Sequence, residues 1–81
     1  MKPSEIIDFI DFLLTDSGTQ TTVRETLREI KKILGEKGKD IGIQADKCIT
    51  LLEELDEDPN IEPYTRTNLW NLVSMLEKLK E

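Results

Sequence analysis

LDEDPNIEPYTRTNLWNLVSML, residues Leu55 to Leu76, holds the only Trp, the only Tyr, two of the three Pro and the sharpest turn signal in the chain. Asp58-Pro59-Asn60 reads as a helix stop followed by a helix start. Pro59 cannot continue a helix and pushes Asp58 out of the helical region. Asn60 is expected to act as the N-cap of the next helix, because its side-chain oxygen can accept an orphan first-turn N–H. Pro63 then falls in the first turn, where a missing N–H costs nothing. Leu69, Leu72, Val73, Leu76 and Leu79 recur at helical spacing, so a helix is expected over about residues 61–80.

A shift of 42 residues lays this stretch on an earlier one. Asp16 then meets Asp58, Arg24 meets Arg66, Leu27 meets Leu69, and Ile30 meets Leu72. Upstream, Ile7 meets Ile49, Ile10 meets Leu52 and Leu13 meets Leu55. The chain therefore reads as two copies of one αα-hairpin. Asp16 with Arg24, and Asp58, Pro59 and Asn60 with Arg66, are the residues expected to build the two turns. Each Arg is expected to clip its turn through an ion pair or a carbonyl contact.

The stretch DPNIEPYTRTNLWNLVSMLEKL resembles the C-terminal signature of uncharacterised protein family 0147, small archaeal proteins of unknown function. The likeness lies in the Asp-Pro-Asn turn, the Thr65-Arg66-Thr67 step and the Leu69-Trp70-Asn71 step, followed by a Leu-rich end. It implies a compact four-helix bundle and implies no activity. The pattern from Leu13 to Leu27 is also similar to a HEAT-type helical hairpin, as a geometric analogy only. Its Asp-to-Arg gap looks longer than in HEAT repeats, and two hairpins are too few for a solenoid.

The remaining helices follow from periodicity. The first is expected over about residues 3–15, opened by Pro3, with Ile6, Ile7, Phe9, Ile10, Phe12, Leu13 and Leu14 covering more than half of its circumference. Gly18 is available for a left-handed cap. The second is expected over about 21–34, capped by Thr21 or Thr22, with Thr22 and Glu25 as a capping box and Val23, Leu27, Ile30, Ile33 and Leu34 as one stripe. The third is expected over about 42–56, with Ala45, Cys48, Ile49, Leu51, Leu52 and Leu55 inside. The fold expected is all-α: a four-helix antiparallel up-and-down bundle of two αα-hairpins in a single domain, residues 1–81.

Composition narrows the function classes. The 81 residues carry a net charge of −6, with 37% apolar and 35% charged residues. By segment the charge is −3 over 1–18, +3 over 19–39, −6 over 40–58 and zero over 59–81. A basic second helix between two acidic ones suits bundle neighbours that complement one another. The overall balance opposes general nucleic-acid or anionic-membrane binding. With no long apolar run and no signal peptide, a cytoplasmic protein is expected.

There is no His, which removes His-based triads and His-ligated metals. The single Cys48 lies in an apolar stripe and is expected to be structural. Asp56, Asp58, Asn60 and Glu62 resemble the opening of a calcium loop. That pattern fails at Ile61, Thr67 and Pro59, so no metal is assigned. No catalytic residue and no cofactor is expected, and the chain reads as non-enzymatic.

Two surfaces remain. The apolar arcs of the first and fourth helices look wider than one core requires, which marks a partner site. Trp70, Tyr64, Phe12, Ile7 and Leu14 are the candidate interface residues, and a homodimer is expected through the first helix and the Trp70 side of the fourth. Trp70 is expected to be half exposed, because its counterpart in the second helix is Arg28. The alternative is a nucleic-acid or ribonucleoprotein accessory protein using Arg24, Arg28, Lys31, Lys32, Lys37 and Lys39. No aromatic residue is interleaved among them.

Overall fold

The computed structural model describes residues 1–81, in four helices: α1 (Pro3–Leu14), α2 (Thr21–Gly35), α3 (Ile41–Asp56) and α4 (Pro63–Leu79). Short connections reverse the chain each time. α1 packs on α2 and α4, and α3 packs on α2 and α4, with no diagonal contact. This is a four-helix up-and-down bundle. The α1–α4 pairing that closes it is the thinnest of the four seams.

Ile6, Ile10, Val23, Leu27, Ile30, Leu52, Leu69, Leu72 and Leu76 fill the centre and are almost wholly buried. Burying each contributes about 1.5–3 kcal/mol relative to leaving it in water. The buried positions repeat at the 42-residue shift: Ile10 with Leu52, Leu27 with Leu69, Ile30 with Leu72, Leu34 with Leu76.

The two same-end turns are built alike. The Asp16 carboxylate accepts the Gly18 N–H at 2.9 Å, and the Asp58 carboxylate accepts the Asn60 N–H at 2.9 Å. Arg24 donates to the Asp16 carbonyl at 3.0 Å, and Arg66 donates to the Asp58 carbonyl at 3.0 Å. The contact is thus with the carbonyl of each matched Asp. Arg66 goes further and also binds the carbonyl and carboxylate of Asp56. Position 14, the counterpart of Asp56, is Leu14, so Arg24 has no second partner there. Gln20 joins the two turns by donating to the Asn60 carbonyl at 2.8 Å.

Three expected caps are corrected. Asn60 is not the N-cap of α4, which begins at Pro63 with Glu62 in the cap position at ψ 149°. The ring of Pro63 bars the residue before it from the helical region, so the helix cannot start earlier. Ile61, freed from the helix, tucks into the core instead. Thr22 does not cap α2 either: that helix begins at Thr21 after Gln20, with no side-chain cap. Gly18 has no left-handed backbone. The only positive φ belongs to Gly38, at 77°, in the α2–α3 connection.

Two polar residues shape that second connection. Asp40 caps α3, accepting N–H bonds from Gly42 at 2.8 Å and Ile43 at 3.3 Å. Gln44 is buried and donates to the carbonyls of Ile33 and Glu36 at 2.8 and 3.0 Å, satisfying the end of α2.

Candidate interaction surface

The wide apolar arc of α1 is mostly consumed by packing. A bundle helix touches two neighbours, so its buried arc exceeds a single stripe. Ile7 and Leu14 are half-buried and packed on the core, which leaves Phe12 as the large apolar residue of α1 that stands clear of it. Asp11 reaches across to Lys31 at 2.7 Å and so marks the α2 side of α1. Ile7 and Leu14, four before and three after Asp11, share that side. Phe12 lies on the opposite flank, toward α4.

There Phe12 and Tyr64 flank one cleft in the α1–α4 seam. They are 64% and 68% exposed. Val23, Leu27 and Leu69 line the cleft, whose volume is about 80 Å³. Ligand pockets usually hold about 300–1,000 Å³. The cleft has room for one or two side chains of a partner and not for a substrate.

Trp70 stands elsewhere. It is 55% exposed, half out of the core as its repeat position implies. Arg66 on its flank of α4 and Lys80 just past the end of that helix bind Asp56 and Asp46 of α3, both at 2.6 Å. Trp70 therefore faces the α3 side, where it lines a depression with Leu52, Glu53, Asp56 and Val73. A single surface made of α1 and Trp70 is not what the bundle presents: the α1–α4 seam holds Phe12 and Tyr64, and the α3–α4 seam holds Trp70. The exposed Ile43 near the start of α3, 58% accessible, is a further apolar residue that periodicity did not single out.

The family description "Uncharacterised protein family (UPF0147)" matches residues 2–79 of this chain. The chain belongs to UPF0147. Among its relatives, the UPF0147 protein of Thermococcus kodakarensis is 33% identical, over 95% of this chain and 99% of its own. That of Methanosarcina acetivorans is 32% identical over 93% and 77% of the two chains. That of Sulfurisphaera tokodaii is 29% identical over 99% and 90%. These relatives are archaeal. No solved structure matches the chain.

Several chemistry-bearing groups of this UPF0147 chain are engaged in holding the fold. Cys48 is buried, with its thiol facing the Ile30 carbonyl. Burial, then the Glu29 charge, pushes its pKa up to about 11, opposite to what a reactive thiol needs. The calcium-like stretch is a turn, its Asp56 bound to Arg66 and its Asp58 to the Asn60 N–H. Among the bases of α2, Arg24 holds the Asp16 carbonyl and Lys31 holds Asp11. No ion pair joins α2 to α3, although their charges are opposite. No helix is long and apolar enough to cross a membrane.

Proposed function

We propose that this protein is a non-enzymatic, cytoplasmic protein–protein interaction module that pairs with a second copy of itself through the α1–α4 seam. The observation that carries this reading is the pair of exposed aromatic rings, Phe12 and Tyr64, on either side of an apolar cleft in the thinnest seam of the bundle. Aromatic anchors beside a small pocket are what binding hot spots are made of. A two-fold contact would set the Phe12 of each copy toward the cleft of the other. A stable interface removes about 800 Å² from each partner. One long face of a four-sided bundle with 5178 Å² of surface can supply that. The matched turns support reading the two hairpins as copies of one unit.

The test is light scattering on a sizing column across a dilution series. A dimer that Phe12→Glu and Tyr64→Glu turn into a folded monomer supports the reading. A wild type that stays monomeric at high concentration sinks it. One observation favours the nucleic-acid alternative: Arg28, Lys32, Lys37 and Lys39 form no ion pair. Salt-sensitive RNA binding lost on Arg28→Glu with Lys32→Glu would decide for it.

A further inference from the structure

The α3–α4 seam combines an exposed indole with unpaired negative charge. Trp70 and Glu53 line the same open depression of about 360 Å³, floored by Leu52, Leu69 and Val73. Both cations that the chain itself brings to this seam are committed: Arg66 to Asp56 and the turn carbonyls, Lys80 to Asp46. Glu53 and Glu57, by contrast, are exposed and form no ion pair. Residues 40–58, which include all of α3, sum to −6, the strongest charge of any segment. An exposed indole and a free carboxylate that line one depression with apolar residues have the chemistry that receives a cation on a long apolar stem. Arg fits best, because its planar guanidinium can stack on the indole while its N–H groups reach the carboxylate.

We propose that the Trp70–Glu53 depression is a docking site for an arginine side chain of a basic protein segment. This site is separate from the α1–α4 seam and does not depend on the self-association proposed there. Charge complementarity sets the class of partner. The apolar floor takes up the stem of the side chain, and Glu53 fixes the head.

The chain has one Trp, so its fluorescence reports on this site alone. The probe is a blocked hexa-arginine peptide, titrated at low and at physiological salt. The expected result is a saturable change in Trp70 emission, with affinity about fivefold weaker in Glu53→Gln and unchanged in Asp8→Asn, which removes the same charge from exposed α1. Trp70→Leu, followed by calorimetric titration and checked for folding by circular dichroism, is expected to lose binding by a similar factor. Equal weakening in Glu53→Gln and Asp8→Asn would overturn the proposal, since binding would then follow net charge alone. So would peptide binding that leaves the Trp70 emission unchanged.

Discussion

Arg66→Met isolates the clip of the second turn. Met keeps the apolar stem and the helix propensity and deletes only the guanidinium. In the native chain that guanidinium holds the Asp56 carbonyl, the Asp56 carboxylate at 2.6 Å and the Asp58 carbonyl at 3.0 Å. Asp56 also ends α3, where an acid opposes the helix dipole, so Arg66 neutralises a charge that is otherwise misplaced. Charge-assisted bonds contribute about 1.5–3 kcal/mol each when well buried. Here the two side chains are 24% and 34% exposed, which reduces their worth. A loss of about 2–3 kcal/mol follows for the whole set. Arg24→Met is the internal control. It deletes one exposed carbonyl bond, and position 14 offers Leu14 in place of an acid, so about 0.5–1 kcal/mol is expected. At about 4–8 °C per kcal/mol for a domain of this size, the Tm drops should differ by roughly 4–20 °C. Thermal and urea unfolding followed by circular dichroism measure this, and a cycle with Asp56→Asn isolates the coupling. Equal losses for the two Arg variants, or a cycle with no coupling, would refute the account.

Two further outcomes follow from particular sites. Cys48 should resist a thiol-specific reagent at pH 8 in the native protein and react on unfolding. Because its folded pKa is raised, to about 11, its contribution is complete below the unfolded value and declines as pH rises from about 9 toward 11. Rapid labelling of the native protein at pH 8 would contradict the burial. Gly38→Ala, at φ 77°, should cost about 1 kcal/mol, whereas Gly35→Ala, at the end of α2 with open space around it, should gain a few tenths; urea midpoints that move in the same direction would contradict this.

Much of the fold was legible in the chain because its signals are local. Periodicity placed four helices within one residue of their observed ends, apart from the start of α4, which comes two residues later than expected. The Asp-to-Arg spacing marked both turns, since eight residues bring a helix's first turn back over the preceding connection. What failed also has local causes. Asn60 and Thr22 are both good caps by residue type, but Pro63 delays α4, and Gln20 rather than a hydroxyl precedes α2. Asp40 and Gln44 were missed as structural residues. Asp40 is one of four charged residues between Gly35 and Ile41, and the partners of Gln44 lie 11 and 8 residues back, across a turn.

The candidate surface divides along the same line. The sequence by itself determined the helix count, the apolar stripes, the two matched turns and the half-exposure of Trp70, because each depends on neighbours within one helix or one turn. Only the tertiary structure decided which neighbour each flank meets. A helix can turn about its axis without changing its periodicity, and long-range packing sets that rotation. Packing withdrew Ile7 and Leu14 into the bundle, paired Phe12 with Tyr64 across the α1–α4 seam, and turned Trp70 toward the acidic α3.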